Sequence, residues 1–134
     1  MKFSTKSQYG LRAMVYLAKV FNDGEPHSLK EIAREERISF DYLEKIISQL
    51  EKEKLVNSKR GVTGGYSLAK PPSNIKVGEI IEVLENNTSL VKCVGRKGKY
   101  CPMEKCCLTK GFWEKIQKTL NTALASMTLA DLIK

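Results

Sequence analysis

Apolar residues recur at helical spacing through most of this chain. Ala13, Met14, Leu17, Ala18 and Phe21 share one face of a helix predicted over Ser7 to Asn22, which Asp23-Gly24 stops. Ser28-Leu29-Lys30-Glu31 then gives the Ser-x-x-Glu capping pattern, in which hydroxyl and carboxylate satisfy orphan N–H groups at a helix start. The short helix it opens carries Ile32 and Ala33 and ends near Arg37-Ile38. Ser39 caps a third helix, where Leu43, Ile46, Ile47 and Leu50 keep the i, i+3, i+4, i+7 pattern. Two short helices across a tight connection have helix-turn-helix geometry, and the second is the expected DNA reader.

After Lys54 the period changes. Leu55–Ser58 and Tyr66–Ala69 are predicted strands, separated by Lys59-Arg60-Gly61-Val62-Thr63-Gly64-Gly65, a Gly-rich turn with two cations. A helix-turn-helix followed by such a ribbon is a winged helix. Pro71-Pro72-Ser73-Asn74 closes the module, and Val77 to Leu84 forms an amphipathic helix expected to pack back on it. From Leu108 a long helix is predicted to about Ser126. Its apolar stripe, Trp113, Ile116, Leu120, Ala123 and Met127, advances in alternating steps of three and four. The helices upstream already supply a core, so this stripe is read as a dimer seam. Thr128-Leu129-Ala130-Asp131 opens a short terminal helix. The expected fold is mainly α. It comprises a winged helix-turn-helix DNA-binding domain over 1–90, a cysteine-rich loop over 91–107, and a dimerisation helix with the terminal helix over 108–134.

The reader helix turns Ser39, Phe40, Asp41, Tyr42, Glu44 and Lys45 toward DNA at its N-terminal end, with Ser48 and Gln49 further along the same solvent face. Asp41 or Glu44 suits a cytosine amino group, and Lys45 suits guanine or phosphate. Lys59, Arg60 and Thr63 stand at the wing, where phosphates or the minor groove are in reach.

Charge fits a polyanionic partner: the 134 residues carry a formal net charge of +8. Residues 1–70 hold thirteen Lys/Arg against nine Asp/Glu, and residues 92–118 hold eight against two, so the second stretch is the more concentrated. No apolar run approaches the ~18 residues of a membrane span, and the N-terminus lacks a secretory pattern, so a cytoplasmic location is expected. There its thiols are reduced or metal-bound, which sets aside a disulfide framework. No Ser/His/Asp or paired-carboxylate constellation and no nucleotide-binding fingerprint is present, which argues against an enzyme. The one histidine, His27, is read as a solvated loop residue.

All four cysteines, Cys93, Cys101, Cys106 and Cys107, crowd a loop-like segment with two glycines, one proline and the cations Arg96, Lys97, Lys99 and Lys105. Spacings of C-x₇-C and C-x₄-C with an adjacent pair make a poor zinc knuckle. Iron–sulfur ligation tolerates such loop-borne cysteines, and the cations favour thiolates, soft metals or oxidation. Iron–sulfur cluster, structural zinc and thiol redox switch all remain open on spacing alone.

Several motifs, in order, carry a family likeness. They are Ser7-x-Tyr9-Gly10-Leu11-Arg12-Ala13-Met14, then Ile38-Ser39-x-x-Tyr42-Leu43-Glu44-x-Ile46 in the reader helix. Next come Val56-x-Ser58-x-Arg60-Gly61-x-x-Gly64-Gly65-Tyr66-x-Leu68 in the wing and Val77-Gly78-Glu79-Ile80-Ile81. Cys107-Leu108-Thr109-x-x-x-Trp113 and Thr128-Leu129-Ala130-Asp131-Leu132 complete the set. With these the chain resembles the IscR-type iron–sulfur regulators of the Rrf group of winged-helix proteins, whose relatives include the nitric-oxide sensor NsrR and the cysteine-metabolism repressor CymR.

The resemblance implies a homodimeric repressor on a pseudo-palindromic double-stranded operator, with RNA polymerase a further partner. It implies a cluster, 2Fe–2S ahead of 4Fe–4S, on Cys93, Cys101 and Cys107. It also implies discrimination between operators at Glu44 and a minor-groove contact at Arg60. Two departures stand out. The histidine that serves as fourth ligand in IscR-like chains is replaced by Lys110, and Cys106 is an added thiol in a longer loop. NsrR-like relatives draw a ligand from the partner's first helix, where this chain has Gln8. The fourth ligand thus lies open between Cys106, Gln8, a small exogenous thiol and none. The alternatives are the same dimer sensing by thiol oxidation or zinc, and a regulator acting through a protein partner without a cluster.

Overall fold

The computed structural model describes residues 2–91, 94 and 107–134. Among them are six α-helices and one antiparallel two-stranded ribbon. Helix α1 spans Thr5–Lys19 and starts two residues earlier than the apolar period suggests, because Ser4 Oγ accepts from the Ser7 N–H at 3.2 Å. Its end comes earlier too: a 3₁₀ turn over Phe21–Asp23 carries the chain to Gly24, whose φ of 71° turns it away. Helix α2 (Leu29–Glu36) is capped by Ser28, which accepts from Glu31 N at 3.1 Å. Glu31 gives its carboxylate to His27 Nδ1 at 2.7 Å.

The connection to α3 (Phe40–Lys52) is a tight left-handed turn. Arg37 sits at φ 55°, ψ 47°, and Ile38 N returns to Ala33 O at 3.0 Å, closing the open carbonyl end of α2. Ser39 caps α3 by accepting from Tyr42 N at 3.3 Å. Strands β1 (Val56–Lys59) and β2 (Gly65–Leu68) pair Val56 with Leu68 and Lys59 with Gly65, which is the winged-helix ribbon. Helix α4 (Val77–Glu85) follows. Glu85 at its end accepts from Ser4 N (2.7 Å), Ser4 Oγ (2.9 Å) and Ser7 Oγ (2.5 Å), binding α4 to the start of α1.

The core gathers Met14 and Leu17 of α1, Ile32 of α2, Leu43, Ile46, Ile47 and Leu50 of α3, Val56 of β1, and Ile75, Ile80 and Leu129. Each side chain of this size contributes about 1.5–3 kcal/mol on full burial, so the apolar faces of α1 and α3 carry most of the fold. Leu129 is the distant member. It opens α6 (Leu129–Leu132), whose Thr128–Asp131 capping box is complete. Val77 N donates to Met127 O and Leu129 N to Ile75 O, both at 2.9 Å, so the chain returns from α5 into the head.

Helix α5 (Lys110–Ser126) starts two residues later than expected, and Gln117 is its one buried residue. Trp113, Ile116 and Leu120 of the predicted stripe are half-buried, while Ala123 and Met127 are exposed. A neighbouring stripe of α5 meets α4 where Gly78 lacks a side chain. A Cβ there would lie 2.6 Å from Leu124 O.

Candidate nucleic-acid interface and cysteine site

Burial of Leu43, Ile46, Ile47 and Leu50 fixes how α3 is rolled. That leaves Asp41, Glu44, Lys45 and Ser48 exposed, with Phe40 42% exposed at the first position. Tyr42 is half-buried and meets Tyr9 of α1 edge-on, with ring centroids 5.8 Å apart. Gln49 departs from the expected solvent face. Its Nε2 donates to Val83 O of α4 at 2.8 Å and its Oε1 accepts from Lys6 at 3.3 Å, because the helix rolls it toward α4.

Lys59, Arg60 and Thr63 are exposed on the wing, as is Val62 between them. Gly64 N returns to Gly61 O at 3.0 Å, and a Cβ on Gly64 would overlap the Lys59 carbonyl, so the tight tip requires glycine there. The start of α2, the start of α3 and the ribbon then enclose an open cleft lined by Ser28, Lys30, Phe40, Lys59, Arg60 and Tyr66. Reader and wing thus face the same side, with three cations at the cleft. Lys30 was not singled out by sequence reasoning, since nothing in the chain pattern shows that α2 opens beside the wing. Burial first, then the charges of Glu51 and Glu44 on α3, raises the Tyr66 phenol pKa.

His27 corrects its reading as a solvated residue. Its side chain is 13% exposed, with Nδ1 2.7 Å from Glu31 Oε2 and Nε2 2.9 Å from Asp23 Oδ2. The Tyr16 ring lies edge-on at 5.9 Å. Its backbone pairs with the wing, His27 N to Tyr66 O at 2.9 Å and Tyr66 N to His27 O at 2.7 Å. The side chain is drawn in because both neighbours four residues away are carboxylates, and because the loop must pair with β2. Burial pulls its pKa down, but hydrogen bonds to Glu31 and Asp23, and then their charges, outweigh that and raise it above 6.5. A raised folded-state pKa adds stability below pH 6.5 and loses it as pH climbs through the folded value. We therefore expect the thermal midpoint to fall across that window, and His27→Gln to flatten the dependence. A pH profile unchanged by His27→Gln would contradict the clamp.

Three of the expected ligands or thiols, Cys93, Cys101 and Cys106, lie outside the described residues. Cys107 is described, just before α5. Its Sγ is 3.3 Å from Thr109 Oγ1. That hydroxyl, then the N–H of Thr109, and against burial the N–H and charge of Lys110, hold the thiol pKa below its usual value. A thiolate at a helix start is a suitable soft-metal ligand, so the residue present fits the expected group. Lys110 has its Nζ 3.7 Å from Glu114 Oε1, and Gln8 is exposed with its amide donating to Phe3 O at 3.2 Å.

Gln117, which sequence reasoning passed over as one more polar residue, ties the residues before the cysteine loop to α5. It is 4% exposed. Its Oε1 accepts from Leu90 N at 2.7 Å, while Nε2 donates to Thr88 O and to Asn121 Oδ1, each at 3.0 Å.

A family model described as Rrf2, iron-dependent transcriptional regulator, matches residues 3–134. The chain belongs to the Rrf2 family. Among its Rrf2 relatives, Protein rrf2 of Nitratidesulfovibrio vulgaris is 37% identical over 134 residues, covering 100% of this chain and 88% of the relative. The solved structure of T. potens IscR matches with a TM-score of 0.78 at 42% identity, over 99% of this chain and 86% of that one. CymR, the global cysteine regulator of B. subtilis, matches with a TM-score of 0.79 at 39% identity, over 98% and 95%. The Rrf2 chain described here is accordingly a DNA-binding transcription regulator with a winged-helix fold, and not an enzyme. None of its described helices is long and apolar enough to cross a membrane.

Proposed function

We propose that this chain is a homodimeric repressor whose binding to a pseudo-palindromic operator responds to an iron–sulfur cluster on Cys93, Cys101 and Cys107. Asp41, Glu44 and Lys45 read base edges, with Ser39, Phe40 and Tyr42 shaping the contact. Lys59, Arg60 and Thr63 hold phosphates or the minor groove beside them.

The observation that carries the sensing half is the attachment of the cysteine segment to α5 on both sides. Gln117 grips Thr88 and Leu90 before it, and Cys107 leads into α5 after it. A cluster of this kind supplies a group whose oxidation state and retention depend on redox conditions. The chain's part is to connect that place with the reader. Helix α5 lies on α4 at Gly78, and α4 holds α3 through Val83 O and Gln49.

A second reading, the same dimer sensing through thiol chemistry without iron, is supported by the lowered pKa of Cys107 and by the likeness to CymR. One preparation separates the two. Protein purified without oxygen should contain about two iron and two acid-labile sulfide per chain and absorb in the visible. Colourless protein that stays colourless after reconstitution would overturn the cluster and leave the thiol reading.

A further inference from the structure

Helix α1 touches both halves of the helix-turn-helix through two side chains. The Arg12 guanidinium donates through Nη2 to the Glu36 carbonyl, and its Nε lies 3.4 Å from Glu36 Oε1. Glu36 is the last residue of α2, so that carbonyl carries part of the negative end of the helix dipole. The same guanidinium lies 5.5 Å from the centroid of the Tyr9 ring, within cation–π range. Tyr9 in turn meets Tyr42 edge-on. Tyr42 stands in the first turn of α3, one residue after Asp41 and two before Glu44. Between the two contacts lies the strained turn, with Arg37 in the left-handed region that non-glycine residues seldom occupy.

We propose that Arg12 and Tyr9 are positioning residues for DNA reading. Arg12 holds the end of α2, Tyr9 holds the start of α3, and the stacked pair fixes the angle at which Asp41, Glu44 and Lys45 meet the bases. This rests on the assignment of α3 as the reader. The turn is only three residues long, closed by Ile38 N on Ala33 O, and the Arg12 and Tyr9 contacts brace the helix ends on either side of it. The apolar face of α3, with Leu43 buried in the first turn, sets its roll, and the Tyr9–Tyr42 contact braces that same turn from its outer side. Arg12 acts through that packing, with two of its donors already directed at Glu36.

The test uses the full chain, a duplex selected by it from a random-sequence library, and a scrambled duplex of equal length, each titrated at several salt concentrations. Arg12→Ala is expected to lose about tenfold in selected-over-scrambled preference, the scale of one base contact. Its affinity for the scrambled duplex and its salt slope should stay at the parent values. Tyr42→Ala should lose as much, and the double variant no more than either alone. Tyr9→Phe should retain the preference, because the ring makes both contacts, whereas Tyr9→Leu should lose it. Arg12→Lys should not retain it either, since an ammonium has no planar fork.

Equal losses on both duplexes, with a log–log salt slope shallower by about 0.9, would make Arg12 a phosphate contact and overturn the proposal. Additive losses in the double variant would mean that Arg12 does not act through the Tyr42 contact, and would overturn it equally. Should Arg12→Ala not fold, the Tyr9→Phe and Tyr9→Leu pair gives the same decision. If the parent chain selects no sequence at all, the reader assignment fails first, a result separate from any of these.

Discussion

Leu120→Lys on α5 is expected to give a monomer that binds operator at least about a hundredfold more weakly than the parent, the scale lost when two linked sites separate. Of the seventeen residues of α5 only Gln117 is buried, while Phe112 is 57% exposed and Trp113, Ile116 and Leu120 stay half-open. A helix of that length with one buried, polar residue gains little from the head alone. The stripe becomes stabilising when a second copy covers it, at about 1.5–3 kcal/mol for each large side chain fully removed from water. An ammonium placed in its middle either remains hydrated, which holds the two helices apart, or loses its water at a cost of several kcal/mol. Sedimentation should show the mass of one chain, and titration of a two-half-site duplex should show the loss. A dimer that survives Leu120→Lys would place the subunit interface elsewhere.

Gln117→Leu should lower the thermal midpoint by roughly 10 °C, the size expected from a loss of about 2–3 kcal/mol in a chain of this length. The replacement is similar in volume but leaves Leu90 N and Thr88 O, both half-buried, without their partner. A fully buried unpaired group costs about 1–3 kcal/mol, so two half-buried ones together account for the expected loss. Amide exchange at Leu90 locates the effect: it should quicken in Gln117→Leu, while amides of α3 follow only the global change. An unchanged midpoint and slow Leu90 exchange would mean that residues 88–90 are held to α5 by something other than this amide. Operator titration of the same variant under oxidising and reducing conditions then asks whether the cysteine segment still communicates with the reader.

Much of the head was legible in the sequence because its signals are local. Leu43, Ile46, Ile47 and Leu50 mark one helix face by spacing alone, and they are the residues that α3 buries. Ser28, Ser39 and Thr128 cap where their short side chains and the following residues indicate. The Gly-rich interruption at 61–65 places the wing, whose strands fall within a residue of expectation.

The polar residues that organise the molecule were not legible in the same way. His27, Gln49 and Gln117 look like surface residues in any periodic reading, yet each faces a segment distant in sequence: Tyr66, Val83, and Thr88 with Leu90. Periodicity reports which face of a helix is apolar. It does not report which polar side chains at the edge of that face find a backbone partner across the fold. For His27 a local clue did exist, carboxylates at Asp23 and Glu31 four residues to either side, and it signals an acid-flanked ring rather than a solvated one. Of the four thiols, Cys107 is the one among the described residues, and it stands just before the first turn of α5.

The bridge between Lys76 and Thr128 constrains how α5 can respond to anything that happens at its start. Beyond its last turn the helix is stitched to Ile75 and Val77, with Leu129 sunk into the head, and midway it is held by Gln117. A rod pinned at those two stations cannot travel lengthwise like a piston without breaking backbone hydrogen bonds. Roll about its own axis would spare the pairings at Ile75 and Val77 and would work only against the Gln117 amide. Such torsion would swing the open stripe of Trp113, Ile116 and Leu120 sideways, so in the proposed dimer an input at the cysteine segment would reach the two heads as a change of angle rather than of height.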